Sequence, residues 1–359
     1  MSPPPRTTIK AGVIGFGLAG RVFHTAVLSA TPGFDLAAIV QRGGNEAAEA
    51  YPEARICRSV EELLEDSSIQ LIAVATPNPS HFPIAKQCLL AGRSVVIDKP
   101  FTLTSGEAAE LIRLAREKGL LLTAYQNRRW DSDFLTVKQI LASQALGRIV
   151  TFQSRFDRFR LEPKAGAWRE DPALGGGILY DLGAHVIDQA LNLFGPPQTL
   201  WADVRIERES SATDDAFDLH LGYPGMTVGL HSTMTACAPG PRFTINGTLG
   251  TFTKFGLDPQ EDAIKRGDPI GAEGWGEEPE SMWGTLTPAA SDGNTESRRI
   301  SSLPGDYRAI YENVRDALLG KTPLAVTAND AWRTARIIEL ARESSSSGCR
   351  LRVDFSDEP

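Results

Sequence analysis

Three residues of this chain have the types and spacing to manage charge and a proton at an alcohol. Asp181 and His185 stand four apart in Gly175-Gly176-Gly177-Ile178-Leu179-Tyr180-Asp181-Leu182-Gly183-Ala184-His185. On a helix that separation puts both side chains on one face. An imidazole, with a pKa of about 6.5, suits removal of a hydroxyl proton, and an adjacent carboxylate can orient the ring and stabilise the imidazolium. Lys99 lies in Asp98-Lys99-Pro100, directly after the apolar run Ser94 to Ile97. That is the carboxyl end of a strand, where open α/β sheets bind ligands. An ammonium there can donate to the reacting oxygen and stabilise alkoxide charge. The structural alternatives are a helix-capping aspartate and a solvated lysine. The strand-end position, locked by a following proline, favours chemistry. Asp188 and Asn192 extend the polar stripe, while Leu182, Val186, Ala190 and Leu193 fall on the other side and predict a core-facing surface.

Oxidation of an alcohol needs a hydride acceptor. Gly15-Phe16-Gly17-Leu18-Ala19-Gly20 is a GxGxxG sequence directly after an apolar run and directly before a helical pattern. In that setting the first glycine makes a tight turn, the second admits a diphosphate and the third lets helix pack on strand. The helix N-terminus then favours the anion. The acid that would bind both ribose hydroxyls of NAD is absent from Ile39-Val40-Gln41-Arg42. Arg42 can instead donate to a 2′-phosphate through a charge-assisted bond worth about 1.5–3 kcal/mol. A difference of about 2 kcal/mol is roughly thirtyfold in affinity. The sequence therefore predicts NADP over NAD, the alternative being that Arg42 points into water.

The elements that must position these groups follow from periodicity. Ile9 to Gly15, Phe34 to Val40, Leu71 to Ala75, Ser94 to Ile97 and Leu120 to Ala124 are continuous apolar runs. Helical patterns at Arg21 to Ala30, His81 to Ala91 and a capping box at Thr104-Ser105-Gly106-Glu107 separate them. Continuous runs mean both sheet faces are covered, so residues 1–124 predict an α/β, doubly wound parallel sheet of Rossmann type. Arg148 to Arg160 alternates instead, the helix Leu179 to Phe194 follows, and Leu200 to Glu207, Ala216 to Tyr223, Met226 to Ala236 and Phe243 to Phe255 read as strands in succession. Residues 125–359 thus predict an α+β domain with an open mixed or antiparallel sheet. The Gly-, Pro-, Glu- and Ser-rich segment 266–305 reads as a surface excursion, and 306–344 holds two terminal helices, with the sequence leaving open whether they pack on the first domain or the second. Arg6, Lys10 and the apolar stretch to Gly20 mimic a signal peptide, but Arg21 follows at once and no A-x-A site appears.

Composition narrows the partners. The chain has 359 residues, 42% hydrophobic and 23% charged, with net charge −8. These values suit about two globular domains and disfavour nucleic acid or anionic membrane as partners. Cys57, Cys88, Cys237 and Cys349 are far apart with no CxxC, which disfavours a metal site and predicts reduced thiols in a cytoplasm. The histidines His24, His81, His220 and His231 each stand alone in the sequence, and His220 and His231 read as strand residues without a role.

Together, Gly15–Gly20, Ala75-Thr76-Pro77-Asn78 with His81, Asp98-Lys99-Pro100 and Asp181-x-x-x-His185 resemble the Gfo/Idh/MocA family of nicotinamide-dependent sugar and inositol dehydrogenases. The likeness covers nearly the whole chain, with Asp98 where the family usually has glutamate. Asn127-Arg128-Arg129-Trp130-Asp131 and Gly256–Asp262 look like the branch that contains NADP-dependent scyllo-inositol dehydrogenases. The resemblance implies Lys99, Asp181 and His185 as the catalytic set. It implies cofactor contacts from Thr76, Pro77, Asn78, His81, Asp98, Lys99, Pro100, Asn127, Trp168 and Arg169, places Asn127 and Arg129 near the cleft, and suggests a homodimer or larger assembly. The expected reaction is reversible oxidation of a secondary hydroxyl on a cyclitol or sugar, with NADP. The alternatives are an NAD-dependent glycosidase of the same family and a nucleotide-dependent, non-catalytic sugar-binding regulator.

Overall fold

A computed structural model describes residues 8–164, 166–289 and 296–359. The N-terminal apolar runs form β1 (Ile9–Ile14), β2 (Phe34–Val40), β3 (Arg55–Cys57), β4 (Leu71–Val74), β5 (Ser94–Ile97) and β6 (Leu122–Ala124). All pair in parallel, in the order β3-β2-β1-β4-β5-β6. Every residue of β4 and β5 is buried, as runs covered on both faces require. Strand order reverses between β1 and β4, which opens a crevice at the carboxyl edge there. The helix Ser105–Lys118 begins on the expected capping box and ends at Gly119, whose φ of 64° reverses the chain. The short strand β3 was not foreseen, because three residues with only Cys57 buried carry too little pattern.

The second sheet has nine strands: β7 (Ile149–Arg155), β8 (Thr199–Arg205), β9 (Ala216–Tyr223), β10 (Met226–Thr233), β11 (Phe243–Gly247), β12 (Gly250–Lys254), β13 (Gly284–Pro288), β14 (Arg298–Ile300) and β15 (Leu351–Arg352). Their order is β14-β13-β12-β11-β7-β10-β9-β8-β15. Only β7 and β10 pair in parallel, so the sheet is mixed. One face buries Phe152, Phe217, Leu219, Val228, Ile245 and Phe252 against Val186, Ile187 and Ala190 of the helix Ala184–Phe194. Leu182, Val186 and Ala190 face this core as the helical spacing predicts, and Leu193 packs at its margin.

Two expectations need correction. Phe243 to Phe255 is a hairpin, not one strand, because Gly247-Thr248-Leu249-Gly250 reverses the chain and pairs Gly247 with Gly250. Segment 266–305 is more than surface: it supplies β13 and β14, and Glu278 forms a fully buried 2.7 Å ion pair with Lys254. Residues 290–295 of that segment lie outside the described residues. The first terminal helix, Arg308–Leu318, packs Ile310, Tyr311 and Val314 against Ile9, Ala11, Val27 and Leu28 of the first sheet's layer. The second, Ala328–Ser347, joins both cores: Ala331 and Trp332 lie with β4 and β5 residues, whereas Ile337, Ile338, Leu340 and Ala341 lie in the core of the second sheet.

Candidate active site

The glycine loop turns directly from β1 into helical turns that begin near Leu18, with Arg21 N donating to Gly17 O at 2.9 Å. Gly15 has φ 101°, and a Cβ there would lie 2.5 Å from Ala75 O; a Cβ at Gly20 would overlap Gly15 O. At Gly17 nothing lies within 4 Å, so the loop is closed on the protein side and open on the other. Phe16 packs edge-on against Tyr51, while Leu18 and Ala19 face a cleft of about 780 Å³ between the two sheets. Such a volume suits a small organic ligand. Arg42 is exposed just past the end of β2, with no hydrogen bond or ion pair among the described residues. Sequence reasoning missed its support. The Arg58 guanidinium donates to Gln41 O at 2.9 Å, Gly44 O at 2.8 Å and the Asn45 side chain at 3.1 Å, and so shapes the loop that carries Arg42.

Lys99, Asp181 and His185 all line the cleft. Lys99 sits past the end of β5, and its Nζ donates to Asp181 Oδ1 and to Asp181 O, each at 2.7 Å. Arg158 Nη1 stands 3.5 Å and Arg169 Nε 3.6 Å from the same carboxylate. Burial alone would raise the Asp181 carboxyl, but Lys99, Arg158 and Arg169 outweigh it and hold the group ionised, far below its ordinary range. The expected pairing of Asp181 with His185 is therefore absent. Three cations compete for the carboxylate against a neutral ring, and the wide helical turn over Leu179–Gly183 precedes the regular helix that begins at Ala184. His185 is 4% exposed and its Nδ1 has no hydrogen-bond partner. Burial, then Lys99 and Arg128, push its pKa well below 6.5 against the pull of Asp181, so the ring is neutral at physiological pH.

Other expected contacts divide. Asp98, Asn127, Trp168 and Arg169 line the cleft, with the Arg169 guanidinium 4.5 Å over the Trp168 ring. Thr76 is half-buried and Pro77 exposed beyond β4. Asn78 and Pro100 face only a small side cavity, and Asn78 Nδ2 donates to Gly175 O at 2.9 Å. His81 is fully buried, with Nδ1 2.8 Å from Pro100 O and Nε2 2.7 Å from Thr76 O. Both nitrogens are thus engaged, and His81 fastens the loop after β4 to the loop after β5 without facing the cleft. The glycine triplet packs against the chain itself. A Cβ at Gly176 would lie 2.5 Å from Arg169 O and 2.7 Å from Asp171 O, so the approaching backbone is the chain's own.

Arg129 does not reach the cleft. It forms a buried, two-pronged pair with Asp188 at 2.6 and 2.8 Å, which also removes Asp188 from the helix stripe. Arg128 lines the cleft instead, paired with Asp131 at 3.1 Å and Glu261 at 2.7 Å. Nor are all the histidines alone. His24 Nδ1 is 2.7 Å from Tyr311 Oη and its Nε2 is 3.5 Å from Asp98 Oδ1, behind Lys99. His231 lies between Asp218 at 2.6 Å and Asp157 at 3.3 Å. Sequence reasoning also missed Phe156 and Arg158 as cleft residues. The signal was there in the two-residue alternation of Phe156, Arg158 and Arg160.

Residues 9–126 match the oxidoreductase family with an NAD-binding Rossmann fold, and residues 134–253 match the GFO/IDH/MocA C-terminal domain. The chain belongs to the GFO/IDH/MocA family. It is 40% identical to an uncharacterized oxidoreductase, YdgJ, of Escherichia coli, across 96% of this chain and 98% of that one. It is 39% identical to scyllo-inositol 2-dehydrogenase (NADP(+)) IolW of Bacillus subtilis, across 94% of each. A solved oxidoreductase, YPO2259 of Yersinia pestis, superposes with a TM-score of 0.92 at 41% identity over 97% of this chain and 98% of that one. This member of the GFO/IDH/MocA family is accordingly an oxidoreductase acting on CH–OH groups. No helix among its described residues is long and apolar enough to cross a membrane.

Proposed function

We propose that the chain catalyses NADP-dependent hydride transfer between nicotinamide and a secondary hydroxyl, or its ketone, of a cyclitol or sugar. The observation that carries this reading is the convergence of Lys99, ionised Asp181 and neutral His185 on one cleft beside the glycine loop. A neutral imidazole lining the cleft is ready to take the hydroxyl proton. Lys99 has three N–H donors and uses two on Asp181, which leaves one for the reacting oxygen. Asp181 acts by fixing that ammonium. The open side of Gly17 fits a dinucleotide, with Gly15–Gly20 at its diphosphate, Arg42 at a 2′-phosphate, Thr76 and Pro77 toward the adenosine ribose, and Asn127 and Trp168 toward the nicotinamide. When bound, the dinucleotide supplies the hydride acceptor or donor. The activity by which IolW is named, NADP-dependent scyllo-inositol 2-dehydrogenase, supports the same reading.

A panel of cyclitols, sugars and their ketones, followed by nicotinamide absorbance with NADP(H) and NAD(H), tests it. Turnover with at least one polyol and a preference for NADP(H) is expected; no turnover with any would defeat the proposal. Arg42→Ala should lower the NADP-to-NAD efficiency ratio by roughly tenfold or more, the worth of one charge-assisted bond. An unchanged ratio assigns the 2′-phosphate elsewhere. The proposal includes a homo-oligomer formed through the outer face of the second sheet, where Thr151, Thr244 and Thr285 lie opposite the core residues Phe152, Ile245 and Leu286. The four cysteines are free thiols, which supports a reducing, cytoplasmic setting.

A further inference from the structure

The chain beyond β7 continues as extended backbone beside β10. Phe156 N donates to His231 O, Arg158 N to Thr233 O and Arg160 N to Met234 O, at 2.8–2.9 Å. Side chains of extended backbone alternate, and here they divide cleanly. Phe156, Arg158 and Arg160 line the cleft, while Asp157 turns away to His231 and Arg155, and Phe159 is exposed. Lys164 lines the cleft a few residues on. Among the described residues, neither the Arg160 guanidinium nor the Lys164 ammonium has a hydrogen bond or ion pair. Three acids of the cleft lining are engaged elsewhere: Asp215 and Glu170 bind Arg208, and Asp214 binds Arg342, each at 2.8 Å. A chain of net charge −8 thus concentrates unmatched positive charge on one wall of its cleft.

We propose that Arg160 and Lys164, continuing from Arg158, form a subsite for an anionic substituent of the substrate, a carboxylate or phosphate ester carried on the cyclitol or sugar; this rests on the reaction proposed above. Arg158 stands 3.5 Å from Asp181, which holds Lys99, so the row starts at the chemistry. Arg160 is two residues farther along extended backbone, about 6.6 Å by strand rise. That is about the distance across a six-membered ring to its substituent. Guanidinium and ammonium groups are the donors that carboxylate and phosphate oxygens recognise.

The test compares matched neutral and charged polyols, such as glucose with glucuronate and myo-inositol with an inositol monophosphate, by kcat/KM in wild type, Arg160→Gln and Lys164→Gln. A charged member preferred about tenfold or more, with that preference lost in the variants, is expected. Equal use of neutral and charged partners, or a preference untouched by both substitutions, overturns the subsite. A parallel titration with NADPH separates the other source of phosphate. If the variants weaken NADPH binding and leave substrate preference intact, the row serves the coenzyme and the proposal fails. Should no polyol turn over, the reaction assignment falls but the subsite is still read by calorimetry. Glucuronate or inositol monophosphate should bind the NADP-saturated wild type at least about tenfold more tightly than it binds Arg160→Gln; absence of binding, or equal binding, overturns it.

Discussion

His185 is a base whose strength is set by its neighbours. Burial and the Lys99 and Arg128 charges keep it deprotonated. If it takes the hydroxyl proton, His185→Ala should lower turnover by about 10²–10⁴ while the fold is retained; unchanged turnover would remove it from the reaction. The acid limb of kcat/KM for alcohol oxidation should lie well below pH 6.5, because protonation of His185 is suppressed in the folded chain. Lys99→Met deletes one of the charges responsible and should move that limb toward 6.5, readable by ring-proton NMR where turnover is too slow. At this scale much was legible beforehand. A lysine after a buried strand and an Asp–His spacing of four pick out three residues that line one cleft. Their pairing was not legible, because a carboxylate chooses among cations that arrive from segments far away in the chain, such as Arg158 and Arg169. His81 and His24 were misjudged for the same reason: their partners are a carbonyl after β5 and a tyrosine on a terminal helix.

The turn that delivers Asp181 depends on how closely the loop Gly175–Gly177 lies against the segment Trp168–Asp171. Two carbonyl oxygens stand where a Cβ of Gly176 would be, and backbone yields less readily than a side chain. Gly176→Ala should therefore cost about 1–3 kcal/mol of stability, measured by denaturant titration, and should also disturb the Lys99–Asp181 contact and lower kcat. A variant as stable and active as the parent would show that this contact is slack. Elements with strong periodicity were legible: the parallel strands, the capping box at Thr104 and the core face of the helix Ala184–Phe194. Elements defined by a partner were not. β3 has three residues, and β13 and β14 lie in a Gly- and Glu-rich stretch, where β13 gains its bonds from β12 and β14 gains its own from β13.

The whole molecule should weaken in acid, in two stages. His185 and His81 have pKa values below 6.5 in the folded chain, chiefly through burial. The unfolded chain therefore takes up those protons first, so their contribution is full above pH 6.5 and is lost as pH falls through 6.5 toward the folded values. Asp181 is held below its ordinary 3.8, so its contribution is present above that value and is lost only as pH falls beneath it. Thermal melts at a series of pH values should show Tm declining first below about pH 6.5 and again below about pH 4; a Tm that is flat or rises with acid would contradict the buried neutral histidines. The two sheets share one late component. Because the helix Ala328–Ser347 contributes Trp332 to one core and Ile337, Ile338 and Ala341 to the other, neither hydrophobic interior is closed until that helix has left the ribosome. The nascent protein must wait, with both apolar faces incomplete, for the same twenty residues.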